Sequence, residues 1–266
     1  MAHYVPLSKT THRQSGLVAS GYAFALEQAV VPVVADELPQ VLPTMAAGFV
    51  RAADNTSFEL VALQSLEAGV NVYVHTNGQW IGGYRPAWYR AHPFRLMKDA
   101  QSDRDVVCVD EASPCFEPEA GDSAVRLFDD SGEPTERTNR TVRFLEQYQK
   151  SARATGVLVG QLEKAGLIVP WQVTARNPNT GKAQPVKGLY HIDEGGLRAL
   201  DPESQAELGR SGALSVAYAQ LFSEHRLKGL ERLYQLRQKA NQRSRATEDV
   251  DIESLFADDD DLTFDV

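Results

Sequence analysis

Val70-Asn71-Val72-Tyr73-Val74-His75-Thr76-Asn77-Gly78-Gln79-Trp80-Ile81 is the stretch on which the fold class turns. Asn-Gly fills the two positive-φ positions of a type I′ turn, whose twist suits a two-residue hairpin. On that reading Val70, Val72 and Val74 share one face of a strand, and Tyr73 and His75 take the other. His75 then stands across from Trp80. It has no other ligand types beside it, so it reads as a packing partner of the indole.

Working outward, the runs at residues 49–51 and 58–61 flank Asp54-Asn55, a second turn signal. Residues 106–109 and 189–192 are further strand candidates. Both end in an acidic pair, Asp110-Glu111 and Asp193-Glu194, and both follow a Pro-aromatic pair, Pro93-Phe94 and Pro170-Trp171. The parallel suggests two strand–turn–strand sub-units. Glu194 followed by Gly195-Gly196-Leu197 reads as the entry into a short helix.

The second half changes period. Val142, Leu145 and Tyr148, then Leu158, Leu162 and Ala165, recur at helical spacing, with Gly166 as a stop. Asp201-Pro202 is an N-cap followed by proline at the first helical position, where the missing N–H costs nothing. A longer amphipathic helix carries Leu214, Tyr218, Leu221, His225, Leu230, Leu233 and Leu236, with Gly229 leaving room for a bend or a close helix contact. Strands followed by helices, without βαβ alternation, predict an α+β fold: antiparallel strands in the N-terminal half and helices in the C-terminal half. Residues 1–240 read as a single module.

Residues 241–266 are different in kind. Nine acids stand at or after Glu248 with no Lys or Arg among them, and removing them leaves 27 acidic against 27 basic residues. Such a segment cannot bury enough apolar surface to offset about 1–2 kcal/mol of backbone ordering entropy per residue, so 241–266 is expected to be a disordered acidic tail. Within it Leu255-Phe256 and Leu262 with Phe264 place apolar anchors among Asp258, Asp259, Asp260 and Asp261. Anchors of that kind suit recognition of a protein partner, which acids alone steer but do not hold.

The chain of 266 residues has no run near eighteen apolar residues; the longest, at 29–35, is broken by Pro32. Its first residues, Met1-Ala2-His3-Tyr4-Val5-Pro6, lack signal-peptide character. A soluble protein made in the cytoplasm is expected, reaching a surface or particle only by a signal-independent route. Cys108 and Cys115 read as buried structural thiols, because a zinc site needs about four ligands at short spacing.

Motifs for phosphate, dinucleotide, zinc-protease or serine-hydrolase chemistry are missing from the sequence. The histidines are scattered. A hidden site would have to gather His92, His191, Asp110 and Asp193 from distant positions. The two acidic pairs are the natural choice for glycoside hydrolysis, but neighbours on an extended chain face opposite ways, and acids at strand ends serve turns and caps. Seven cations between Arg226 and Arg245, against Glu231 alone, read as a solvated helix face and not as a nucleic-acid surface, since the acids follow at once. No catalytic residue, cofactor or metal ligand is assigned.

With these residues assembled, the chain resembles the SapC family, named after a bacterial surface-array protein. The matching stretches are Pro6-Leu7-Ser8-Lys9 with His12, Val31-Pro32-Val33-Val34-Ala35, and Gly78-Gln79-Trp80 through Tyr84-Arg85-Pro86-Ala87 to Arg90 and Pro93-Phe94. Cys108-Val109-Asp110-Glu111, Leu127-Phe128-Asp129 with Gly132-Glu133-Pro134, and Gly188-Leu189-Tyr190-His191-Ile192-Asp193-Glu194 follow in order. The resemblance implies a non-catalytic surface or assembly protein, with self-assembly among its expectations. Some members look linked by gene neighbourhood to tryptophan-halogenase-like and oxygenase-like proteins, which implies an alternative: an accessory protein presenting a substrate to such an enzyme. A virion or particle component is the other alternative. The transport permease that shares the family's name is excluded by the lack of a membrane segment.

Overall fold

The turn at Asp54-Asn55 forms as its sequence dictates. Asn55 takes φ +61°, Asp54 accepts the Thr56 backbone N–H at 3.0 Å, and the flanking strands pair antiparallel from Ala47 opposite Ala62 to Arg51 opposite Phe58. The structure, a computed structural model, describes residues 2–99, 104–176 and 183–248.

Chain order begins with β1 (Tyr4–Pro6), β2 (Gly16–Leu17) and β3 (Val30–Pro32), then the short α1 (Leu38–Val41). The hairpin β4 (Ala47–Arg51) and β5 (Phe58–Leu63) follows, then α2 (Ala87–Arg90), β6 (Phe94–Lys98) and β7 (Asp105–Asp110). Two-residue strands β8 (Phe116–Glu117) and β9 (Val125–Arg126) precede the long α3 (Glu136–Lys164). Next come β10 (Ile168–Pro170), β11 (Val173–Arg176), β12 (Ala183–Val186) and β13 (Tyr190–Ile192). Helices α4 (Glu194–Arg198), α5 (Pro202–Ser211), α6 (Ala213–Ser223) and α7 (Leu227–Glu248) complete the described chain. The fold is α+β: mostly antiparallel strands first, helices after.

Among the described residues, the largest sheet runs β10-β13-β4-β5-β3, and a second sheet runs β1-β7-β6. Helix α3 lies on β5 and α6 lies on β13 and β4. Between them sits a core of Phe49, Leu63, Leu162, Ile192 and Leu197, all essentially removed from water. A smaller cluster of Phe94, Val109, Phe116, Leu127, Phe128 and Leu145 underlies the second sheet. Cys108 and Cys115 are both buried free thiols, and burial raises the Cys108 pKa.

The two Pro-aromatic stretches lie in different sheets. Phe94 pairs with Val109 across β6–β7, whereas Pro170 pairs with Tyr190 across β10–β13, and the β11–β12 hairpin falls between the latter two strands.

The opening stretch departs from its sequence reading. Gly78 takes φ +83°, but Asn77 does not take positive φ. The Gly78 N–H donates to the His75 carbonyl at 2.8 Å and the His75 N–H to Gln79 at 2.8 Å, a three-residue loop closed by a left-handed glycine. Trp80 therefore faces Val74, not His75. Val72, Tyr73 and Val74 are all buried, so the two-faced alternation fails. The reason is a side-chain network. Asn71, fully buried, donates to the Ala25 carbonyl and to Gln64, and accepts the Tyr73 N–H at 2.9 Å. Gln64 accepts the Tyr89 hydroxyl at 2.6 Å. These bonds hold the segment as a loop where β-propensity favours a strand.

Caps behave as read. Asp201 accepts the Glu203 and Ser204 N–H groups at 3.0 Å each, Thr135 caps α3, and Gly166 turns left-handed just past that helix. The long helix read from Leu214 to Leu236 is divided by a 3₁₀ turn at Glu224–Arg226, and Gly229 lies inside α7. The end of α6 is tied to the sheet there: Ser223 accepts the Ala47 N–H at 2.8 Å and Gln220 accepts the Ile192 N–H at 2.9 Å. Arg226 and Arg237, read as part of a solvated basic face, turn inward instead. Arg226 donates to the Leu42 carbonyl, and Arg237 donates to those of Asn71 and Val74. Helix α7 continues through 241–248, where the tail was expected to start. Residues 249–266, with Leu255, Phe256, Asp258, Asp259, Asp260, Asp261, Leu262 and Phe264, lie outside the described residues. No helix among the described residues is long and apolar enough to cross a membrane.

Candidate functional site

The four residues that a hidden site requires divide between two places. His92 and Asp110 flank the β6–β7 pair. The His92 ring stacks on Phe24 at 3.6 Å and its Nε2 stands 2.7 Å from the Ser113 hydroxyl. Burial first, and the Arg95 charge second, push the His92 pKa down to about 4, with Asp110 opposing. Asp110 accepts the backbone N–H groups of His3 at 2.7 Å and Ala112 at 3.2 Å, a turn-forming role. His191 and Asp193 lie on and just after β13. The His191 ring is parallel to Trp171 at 5.3 Å, and its Nδ1 meets Glu224 at 2.9 Å. Asp193 occupies the N-cap position of α4, without a side-chain cap bond. Among the described residues no hydrogen bond or ion pair joins the first pair to the second.

Ser113 also meets the Cys115 thiol at 3.1 Å, so a thiol, a hydroxyl and an imidazole stand in a row. That row has the parts of a nucleophile and its base. However, Ser113 is 5% exposed and Cys115 6%, and an imidazole with a pKa near 4 accepts a proton poorly. Among the described residues no three His, Cys, Asp or Glu side chains gather as metal ligands.

A denser constellation grows from residues 34–37 and 84–90. Residues Ala35–Glu37 form a 3₁₀ turn that runs straight into α1, which places the Glu37 side chain inward, 5% exposed. One carboxylate oxygen accepts the Val34 N–H at 2.9 Å. The other accepts the Tyr84 hydroxyl at 2.7 Å and the Ala87 N–H at 2.8 Å. Arg90, at the end of α2, donates to the Tyr84 oxygen at 2.6 Å. Its guanidinium lies 5.5 Å from the Tyr84 ring centre and 5.8 Å from that of Phe144. Burial, reinforced by the Glu37 bond and charge, pushes the Tyr84 pKa up to about 12 against the opposing Arg90.

An open cleft of about 420 Å³ lies between this row and α3, which contributes Phe144, Gln147, Tyr148 and Ser151. Ser151 donates to Asp36 at 2.7 Å across its rim. Glu37 and Tyr84 were not singled out as site residues in the sequence, although Tyr84, Ala87 and Arg90 fall within the most specific stretch of the resemblance. Glu37 shows only a weak local signal, an acid three residues after Val34 at the start of a turn.

Neither the curated proteins nor the solved structures contain a match to this sequence. The family model named SapC matches residues 7–230, a span that includes Glu37, Tyr84, Arg90 and the α3 wall of the cleft, and the chain belongs to the SapC family.

Proposed function

We propose that this SapC-family chain is a binding and assembly protein, not an acid–base catalyst, and that its acidic C-terminal segment recognises a protein partner. One observation carries the first half. Two of the groups that acid–base chemistry would draw on have pKa values far from neutrality: Tyr84 at the cleft stays a phenol with its pKa near 12, and His92, outside it, stays neutral with its pKa near 4. General acid–base work favours a group whose pKa lies near the working pH. A cleft of fixed donors and acceptors suits recognition instead.

The second half rests on the composition of residues 249–266, where Leu255, Phe256, Leu262 and Phe264 alternate with acids. Apolar anchors supply affinity while the carboxylates supply steering and salt sensitivity. The cleft also favours a second reading, an accessory protein that presents a small molecule to a modifying enzyme.

Association from native extract tests the proposal, with full-length protein, a form lacking 249–266, and Leu255→Ala with Phe256→Ala, at low and high salt. The cut at 249 leaves α7 intact. Partners lost on deletion, weakened by the double alanine at unchanged charge, and released by salt support the reading. Identical partner sets from all three forms refute it.

A further inference from the structure

Sharing Phe144 and Tyr148 with the cleft is a second, smaller cavity of about 40 Å³, lined also by Trp88, Arg95 and Gln149. Arg95 is half-buried on β6, and burial lowers its pKa from the ordinary arginine value. A buried guanidinium normally has a carboxylate beside it, because an unpaired charge out of water is costly. Arg95 has none within ion-pair distance among the described residues. Its one protein acceptor there is the adjacent Phe94 carbonyl, 2.9 Å away, and its guanidinium lies 4.1 Å from the Trp88 ring centre. Asp110 is near enough to be felt as a charge, but it forms no ion pair with Arg95, and one of its oxygens accepts the N–H groups of His3 and Ala112.

The Tyr148 hydroxyl lines the same cavity and likewise has no hydrogen-bond partner among the described residues. Burial raises its pKa, so it remains a neutral donor. A guanidinium offers five N–H donors in a planar fork. Only one of those donors has a protein acceptor among the described residues, and Arg95 and Tyr148 both line a space of roughly three water volumes. Trp88 and Phe144 make two of its walls apolar.

We propose that this cavity binds the carboxylate of an organic acid, paired with the Arg95 fork and the Tyr148 hydroxyl, with the acid's apolar part against Trp88 and Phe144. Planar carboxylate matches planar guanidinium in a two-bond geometry, and the enclosed space takes the carboxylate group, leaving the apolar part to lie along Trp88 and Phe144. Two sources supply this chemistry: a free small acid, or a carboxylate of the chain's own 249–266 segment. The site stands independently of the partner reading above, and a tail-deleted arm keeps the two separable.

Acetate, benzoate and the neutral isostere benzamide are titrated into the full chain, with binding read by calorimetry and by the rise in melting temperature. The proteins compared are wild type, Arg95→Met, Tyr148→Phe and, as a charge control, Arg140→Met. Arg140 is exposed on α3 and pairs with Glu136. The expected result is binding of both carboxylates but not of benzamide, weakened at least tenfold by Arg95→Met, several-fold by Tyr148→Phe and not by Arg140→Met. Without ligand, Arg95→Met melts close to the wild type, because a half-buried cation with no carboxylate partner has been replaced by an apolar chain of similar length. In protein lacking 249–266, tighter benzoate binding assigns the natural carboxylate to the chain's own segment, and equal affinity assigns it to a free acid. The proposal is overturned if neither carboxylate binds, if binding survives Arg95→Met, or if ligand-free Arg95→Met melts well below wild type.

Discussion

Replacing Glu37 by Gln changes one atom in a buried side chain and tests the whole cleft. The carboxylate accepts three donors: the Val34 N–H, the Ala87 N–H and the Tyr84 hydroxyl. An amide has one acceptor oxygen. Its better orientation keeps that oxygen on Ala87 and Tyr84 and turns the NH₂ group onto the Val34 N–H. One buried donor is then unsatisfied, at about 1–3 kcal/mol, and two charge-assisted bonds become neutral ones, at about 1 kcal/mol each. Removing a buried charge returns part of this, so the net loss is about 3 kcal/mol. At about 2–4 °C per kcal/mol for a chain of this size, the melting temperature falls by about 6–12 °C. Differential scanning calorimetry measures it. A second reading comes from tyrosinate absorbance, taken as the difference from a Tyr84→Phe protein. Two of the causes that raise the Tyr84 pKa come from Glu37, so the titration midpoint drops below about 12 in Glu37→Gln, while the burial contribution persists. A melting temperature within about 2 °C of wild type, with an unmoved Tyr84 midpoint, refutes the account of Glu37 as the organiser of the cleft.

Other perturbations separate further links. His92 has a folded pKa near 4 against an ordinary value of 6.5, so between those values the unfolded chain takes up a proton that the folded one refuses. Stability is therefore full above pH 6.5 and falls by roughly 3 kcal/mol as pH drops to 4. His92→Gln flattens that slope in melting curves taken across pH, and an equal slope in both proteins excludes His92 as its source. Gly78→Val forces a β-branched residue to φ near +83° and lowers stability by roughly 1–2 kcal/mol in urea unfolding, by backbone strain, since the added Cβ stands 3.4 Å from its nearest neighbour. An unchanged midpoint contradicts the turn. Gly21→Ala acts differently: its Cβ would come within 2.6 Å of the Gly78 carbonyl, which accepts the Tyr22 N–H, so the two segments must part. Loss of slow hydrogen exchange at the Tyr22 amide reports that separation, and retained protection argues against it.

How much of this was legible in the sequence follows from the range of each interaction. Asp201-Pro202 and Asp54-Asn55 form as read because their caps and turn bonds span two or three residues. Gly78 was read correctly as the left-handed residue and Asn77 incorrectly, because the loop is decided by partners far off in the chain. Asn71 reaches Ala25, and the Gly78 carbonyl takes the Tyr22 N–H. The helix break at Glu224–Arg226 leaves no local sign for the same reason. Glycine is a local cue, whereas the bonds from Ser223 and Gln220 to Ala47 and Ile192 come from the sheet. The site was the least legible part. Glu37 meets Tyr84 and Ala87 across nearly fifty residues, and a buried polar side chain with distant partners leaves no periodic trace.

The two carbonyls that hold Arg237 give α7 a mechanical role. The helix leads directly into the acidic segment, and its side-chain grip is on Asn71 and Val74. Asn71 in turn holds Gln64, and Gln64 holds the Tyr89 hydroxyl, next to Arg90. The C-terminal helix is thus tied through a chain of side-chain hydrogen bonds to the helix that forms one wall of the cleft.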